Sequence, residues 1–286
     1  MKFGIAFANA GPLGQPELAT GLAQLAEELG FESLWTVEHV VVPAGYASEY
    51  PYSPDGKMPG GEQVALADPL IWMAYVAAVT KRIRLGTGIL ILPQRNPVIL
   101  AKELASLDLL SSGRLDLGIG VGWLREEFDA LGIPWARRGA RTDEYVEVMR
   151  RLWTESSTAF HGEFSNFAEL NSYPKPAQTA GIPIHVGGHS DAAARRAGRL
   201  GDGFFPGARD PESLGGLLDT MRASARDAGR DPDAIEITAG GGLDLDSVKH
   251  LADLGVTRYV IPPLGFDLDS LRTNLARYAE NVIAKS

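Results

Sequence analysis

The sequence predicts an α/β fold of the (β/α)8 class, a TIM barrel with insertion loops, and three observations carry that prediction. Short β-rich runs alternate with amphipathic helical stretches along the 286 residues, the pattern of βα units on a parallel sheet. Eight strands can be counted. No early glycine-rich strand-to-helix turn of the dinucleotide type is present, which favours a closed barrel over an open doubly wound sheet. Periodicity alone does not establish closure.

The elements follow in order. Residues 2–8 read as the first strand. Pro16 opens a helix carrying Leu18, Leu22, Leu25 and Leu29 on one face, and Gly30 stops it. Residues 33–37 are the second strand. From 40 to 67 the pattern dissolves into Pro, Gly and Tyr with no period, and a run of that length between elements suggests an active-site lid. Asp68-Pro69 then reads as an N-cap followed by proline at the first helical position, opening a helix over 68–80. Residues 83–92 form the third strand, 97–110 a helix, 114–120 the fourth strand, and 125–131 and 141–153 a pair of helices. Residues 154–181 are an irregular insertion with short strands around 160–167. Strands at 182–187, 203–205, 235–239 and 258–261 alternate with helices at 191–200, 211–229, 245–254 and 267–284. One domain over 1–286 is expected, because barrels of roughly 250 residues commonly remain undivided.

Composition excludes several function classes. The net charge is −9 and no dense Lys/Arg stripe occurs, so the footprint of a nucleic-acid binder is missing. An anionic cofactor is not excluded, since long-range repulsion is screened beyond roughly 8 Å. The absence of cysteine removes disulfides, thiolate catalysis and cysteine metal sites together. The opening apolar run is of strand length and too short for a signal sequence, and no stretch reaches about 18 uninterrupted apolar residues. A cytoplasmic protein with no membrane partner is expected.

In a barrel the loops after each strand converge on one face, so residues just past strand ends are the functional candidates. After the second strand come Glu38 and His39, and imidazole suits proton transfer near neutrality. The third strand, LGTGIL over 85–90, carries two interior glycines, which mark either a bulge with close ligand approach, the favoured reading, or a packing concession. The fourth ends in Gly118, Gly120 and Gly122 before Trp123. That spacing departs from a dinucleotide fingerprint and reads as a close-packed loop under a flat ring. The fifth ends His185-Val-Gly187-Gly188-His189-Ser190 and feeds a helix at Asp191. Paired glycines before a helix N-terminus predict freed amides that hold an anion. His185 and His189 are four apart but on strand and loop, so no metal site is expected.

With those residues in place, the chain resembles the bacterial luciferase-like superfamily, specifically its actinobacterial branch of coenzyme F420-dependent oxidoreductases. The carriers are residues 85–97 (LGTGILILPQRNP), 101–108 (AKELASLD) and 112–128 (SGRLDLGIGVGWLREEF), with RTD at 141–143, PKP at 174–176, and Gly187-Gly188 followed by GDG at 201–203. The motifs specify the superfamily. They only suggest the cofactor, because relatives use FMN on the same scaffold.

The resemblance implies a luciferase-like barrel with a non-prolyl cis peptide in the third strand, here Gly88-Ile89, backing the cofactor ring. It implies that Glu38 and His39 stand beside that ring as the catalytic pair, that Gly120, Gly122 and Trp123 lie close to it, and that Gly187, Gly188 and the stretch from Gly203 to Pro206 cradle the phosphate. One departure matters. Trp123 stands where the sugar-phosphate dehydrogenases of the branch carry a proton-donating glutamate, which argues against that reaction and leaves His39 as the acid or base. Glu126 and Glu127 are expected to be solvated residues of a helix start. The implied activity is hydride transfer between F420 and a small organic substrate. An FMN-dependent monooxygenase and a non-catalytic cofactor-binding protein remain the alternatives, and a homodimer is expected.

Overall fold

A computed structural model of the chain describes residues 1–207 and 210–286. Its strands are β1 (Lys2–Ile5), β2 (Ser33–Thr36), β3 (Arg84–Thr87), β4 (Leu90–Ile91), β5 (Leu115–Gly120), β6 (Thr158–His161), β7 (Asn166–Leu170), β8 (Ile184–Gly188), β9 (Gly203–Pro206), β10 (Glu236–Gly240) and β11 (Arg258–Ile261). The helices are α1 (Pro16–Glu28), α2 (Pro69–Ala77), α3 (Pro97–Leu110), α4 (Arg125–Ala130), α5 (Arg138–Thr154), α6 (Asp191–Leu200), α7 (Pro211–Asp227), α8 (Leu245–Asp253) and α9 (Leu268–Asn281).

The barrel is closed and parallel. β1 pairs with both β2 and β11, and the ladder continues through β10, β9, β8 and β5 to the divided third stave, whose lower half β3 pairs with β2 and β5 and whose upper half β4 pairs with β5. The predicted continuous third strand is therefore two segments, separated at Gly88-Ile89, and that peptide bond is cis. The first strand is shorter than the predicted 2–8 run, because Phe7 takes a left-handed backbone conformation (φ 57°) and turns the chain at the barrel mouth. β6 and β7 form an antiparallel hairpin inside the 154–181 insertion.

Two side chains account for three of the barrel-strand glycines. Trp35 on β2 is fully buried at the barrel axis, and a Cβ at Gly86 would lie 2.6 Å from its ring. The ring meets Phe205 edge-on at a 5.4 Å centroid distance, the tilted geometry that aromatic pairs prefer. Above it, the Ile89 side chain fills the space that a Cβ would need at Gly120 (2.4 Å) and at Gly187 (2.5 Å). Gly86 makes room for Trp35, and Gly120 and Gly187 make room for Ile89. For Gly86 the packing alternative is what the fold builds, and at Gly88 the neighbours are likewise Phe205 and Trp35.

Below Trp35 the barrel holds charge. Arg84 donates to Asp116 through Nε (2.6 Å) and Nη2 (2.9 Å), and His185 Nε2 lies 3.4 Å from the same carboxylate. Arg258 forks onto Glu32 at 2.9 and 3.0 Å. Buried charges persist only when paired in this way. Burial works against the charge on Asp116, but the hydrogen bonds from His185 and Arg84 outweigh it and hold the carboxyl well below the usual carboxylate range.

Candidate active site

The carboxyl ends of the strands bring His39, Gly122, Trp123, Gly187, Gly188 and Pro206 to one face, roofed by the loop over 40–67. His39 is the centre of the polar arrangement. Its Nδ1 lies 3.0 Å from Glu127 Oε2, and its Nε2 faces the indole N–H of Trp123 at 3.3 Å. The imidazole side chain is 8% exposed and that of Glu127 is 0% exposed. The expectation that Glu127 is a solvated helix residue is thus wrong. α4 turns it inward beside Phe128, and Glu127 Oε1 also accepts the amides of Val40 (2.7 Å) and Val41 (3.3 Å). Glu126 is not a free surface residue either. It accepts the Ala47 and Ser48 amides and the Ser48 hydroxyl, and the hydroxyl above all lowers its carboxyl to about 2. Two adjacent glutamates on a short helix therefore fasten two points of the roofing loop.

Glu38 points elsewhere. Its Oε2 accepts the Ile91 amide at 2.5 Å and its Oε1 accepts Nε of Arg95 at 3.0 Å, with Arg95 Nη2 closing the fork. Arg95 also reaches Asp68 at 3.0 Å. Burial pushes the Glu38 carboxyl up, against the pull of Arg95 and the Ile91 amide. The carboxylate pins the segment after the cis bond, where the sequence reading paired it with His39 at the ring.

An aromatic chain crosses the mouth. Trp123 meets His39 (5.5 Å), Tyr46 (5.5 Å) and Tyr50 (5.1 Å), Tyr50 meets Tyr52 (5.3 Å), and Tyr52 meets His189 (5.2 Å), all edge-on. Tyr52 lies directly against Gly207, where a Cβ would fall 2.0 Å from its ring. Burial, with Tyr50 nearby, pushes the Tyr52 hydroxyl up to about 12. The unpatterned loop at 40–67 is a folded aromatic roof.

The predicted anion loop needs correction. Gly187 and Gly188 both belong to β8, in register with Phe205 and Pro206 on β9, and the Gly188 carbonyl accepts the Gly207 amide at 3.2 Å. The strand runs one residue further than predicted because Gly187 must lie flat under Ile89. Gly188 has φ 134°, and a Cβ there would meet Ala193 at 2.8 Å, so only glycine lets α6 start this close to the strand. The Ser190 hydroxyl caps α6 by accepting the Ala193 amide at 3.3 Å. The amides suited to an anion are those of the first turn of α6, not the glycines themselves. A cavity of about 530 Å3 opens there, lined by His189, Asp191, Gly207, Asp210 and Ser213 among others.

Gly203 is not at this face. It opens β9 at the opposite end of the barrel, where a Cβ would strike the His185 ring at 2.0 Å. Gly122 does sit at the mouth, with φ 81° and with Phe128 and Ile91 filling the space of a side chain. Its carbonyl accepts Nε of Arg138 at 3.3 Å, and the Arg138 guanidinium stacks 3.6 Å from the centre of the Trp135 ring. Among the described residues Arg138 has no ion pair with a carboxylate. Neither it nor Glu127 was singled out from sequence as a site residue. Their roles come from packing between α4, α5 and the mouth, which no local motif encodes. Among the described residues no cluster of three or more metal-ligating side chains occurs, and no helix is long and apolar enough to cross a membrane.

The family model for luciferase-like monooxygenases matches residues 1–246. The chain belongs to this luciferase-like family. Among its relatives, an uncharacterized protein of Mycobacterium tuberculosis is 37% identical over 273 residues, 92% of this chain and 94% of the relative. An F420-dependent glucose-6-phosphate dehydrogenase of Amycolatopsis mediterranei is 34% identical, over 63% of this chain and 50% of the relative. An FMNH2-dependent dimethylsulfone monooxygenase of Pseudomonas putida is 31% identical, over 71% and 52%. Among solved structures of the luciferase-like fold, monooxygenase RslO1 from Streptomyces bottropensis superposes with a TM-score of 0.77 at 28% identity, covering 100% of this chain and 99% of that one. The coenzyme F420 dependent tetrahydromethanopterin reductase from Methanopyrus kandleri gives 0.79 at 18% identity, covering 99% of each, a likeness of fold. Family members are oxidoreductases of flavin or deazaflavin type, and both cofactors occur among the relatives.

Proposed function

We propose that this luciferase-like protein transfers hydride between the deazaflavin coenzyme F420 and a small organic substrate at the barrel mouth. The observation that carries the reading is His39, held by Glu127 on one nitrogen and turned to the mouth with the other, because hydride transfer to or from a polar bond needs a matched proton. The F420-dependent relative at 34% identity supports the cofactor choice.

The residues present suit such a group. The first turn of α6 offers amides and a positive dipole end to a phosphate, Arg138 offers a cation that has no carboxylate partner among the described residues, and the Gly88-Ile89 segment and Trp123 offer surface for a ring. When bound, the deazaflavin supplies the hydride chemistry. The chain's own residues do the rest: the roofing aromatics exclude water, Glu38 fixes the Gly88 to Ile91 segment through Arg95 and the Ile91 amide, and His39 holds or receives the proton at Nε2. A fluorescence titration with F420 and with FMN tests the reading. Tighter binding of F420 supports it, and tighter binding of FMN overturns the cofactor choice.

A second reading, an FMN-dependent monooxygenase, has the support of the FMNH2-dependent relative at 31% identity. Oxygen consumption with reduced FMN would favour it. A non-catalytic cofactor-binding protein would bind tightly yet turn over none of a panel of enones and nitroaromatics.

Our reading also includes a homodimer through the outer face of α2 and α3. The segment Pro69–Ala77 carries no charged residue, and Ile71 and Ile99 are 72% and 59% exposed. Exposed large apolar side chains on an uncharged helix are the surface this reading assigns to the partner copy.

A further inference from the structure

We infer that Glu127 is the positioning residue that sets which nitrogen of His39 carries the proton, and that it ties this state to the seating of the roofing loop. The inference rests on His39 being the proton-handling group of the proposed activity.

The argument is one of donors and acceptors. An indole N–H only donates, so the 3.3 Å contact from Trp123 requires a lone pair on His39 Nε2. The proton of the neutral ring is then on Nδ1, and it is donated to Glu127 Oε2 at 3.0 Å. Glu127 Oε1 is meanwhile filled by the amides of Val40 and Val41. With three N–H groups converging on it, the carboxyl has acceptor work at both oxygens and no partner to which it would donate. The tautomer of a histidine is set by the bond made at its other nitrogen. Nε2 therefore faces the mouth as a proton acceptor. When it takes a proton from a bound X–H group, the imidazolium charge is balanced by Glu127 and the Nδ1–H stays where it was. Val40 and Val41 immediately follow His39, so the same carboxylate holds the start of the roof and the ring together. A roof displaced from Glu127 would free one oxygen and loosen the imidazole.

Nitrogen-15 NMR of histidine side chains tests this. The chain has five histidines, and His39→Gln identifies the signal by its disappearance. In the native protein the neutral His39 ring is expected to show protonated Nδ1 and unprotonated Nε2. Protonated Nε2 in the neutral ring would overturn the inference without any need for a Glu127 variant. In Glu127→Gln the carboxamide cannot accept both from His39 and from the Val40 and Val41 amides with the same two atoms. The expected result is a mixed tautomer and kcat lowered at least roughly tenfold, with cofactor Kd within about twofold and the circular dichroism spectrum preserved. An unchanged tautomer, or a loss of kcat matched by an equal loss of cofactor affinity, would contradict it. If no flavin or deazaflavin binds, the proposed activity fails while the tautomer measurement still decides the role of Glu127.

Discussion

The indole N–H of Trp123 points at Nε2 of His39 across 3.3 Å, with the two rings perpendicular at 85°. The nitrogen best placed to exchange a proton with a substrate is thus already engaged, by a donor that a substrate X–H group would displace. Trp123→Phe removes the donor and keeps a ring against Tyr46 and Tyr50. Turnover should fall by about two- to tenfold, since one partly exposed hydrogen bond contributes about 0.5–1.5 kcal/mol. Trp123→Ala, which removes the centre of the aromatic roof, should raise KM at least roughly tenfold. Steady-state kinetics on the two variants separates the roles, and equal losses in both would contradict them.

Ile89 makes a second test possible, on packing. Gly187→Ala places a methyl 2.5 Å from its Cγ2, and overpacking of this kind costs about 1–3 kcal/mol. Urea unfolding of Gly187→Ala, of Ile89→Ala and of the double variant should show the cost of the alanine at 187 shrinking when the Ile89 Cγ2 is removed. Additive effects would mean that the glycine answers to something other than Ile89.

How much of this was legible in the sequence follows from what each signal depends on. The staves and helices were readable because hydrophobic period and caps such as Asp68-Pro69 are local, and the divided third stave was marked by Gly86 and Gly88 among branched residues. His39 was readable as a titratable side chain just past a strand end. The partners of Glu38, Glu126 and Glu127 were not, because each carboxylate bonds a segment that only tertiary folding brings near. Gly203 was misplaced for a related reason: a glycine motif shows that space is needed without showing which neighbour needs it, and here the neighbour is His185, buried inside the barrel in the layer below Trp35.

The buried charge layer predicts an acid dependence. Asp116 has its folded pKa depressed, so its contribution to stability is fully present above the unfolded value of roughly 3.9. That contribution is lost as pH falls through the lower folded value. Asp116→Asn should cost about 3–5 kcal/mol at pH 7, as breaking one side of a buried pair does. The gap to the native protein should narrow below about pH 3, where protonation begins to do what the substitution does. Denaturant curves at pH 7 and at strongly acid pH check this, and a constant gap would contradict it.

Arg138 supplies a binding prediction. If its guanidinium meets the anionic part of the cofactor, Arg138→Ala weakens F420 or FMN binding by roughly tenfold, on the order of 1.4 kcal/mol for one charge-assisted contact. Fold stability should change by no more than about 1–2 kcal/mol, since a partly buried cation–π contact contributes on that order. Unaltered affinity by fluorescence titration would remove Arg138 from the site.

The oligomer prediction is separate from the chemistry. Ile71→Glu places a charge on the apolar face of α2, and light scattering should then report a monomer in place of a dimer. A monomeric native protein would contradict the proposed interface.

The most direct test of the whole account is a crystal structure of the protein soaked with F420. The account predicts the deazaflavin ring against the Gly88-Ile89 segment within reach of His39, with the phosphate at the first turn of α6. A ring bound away from the barrel mouth, or a phosphate held with no contact to that turn, would contradict it.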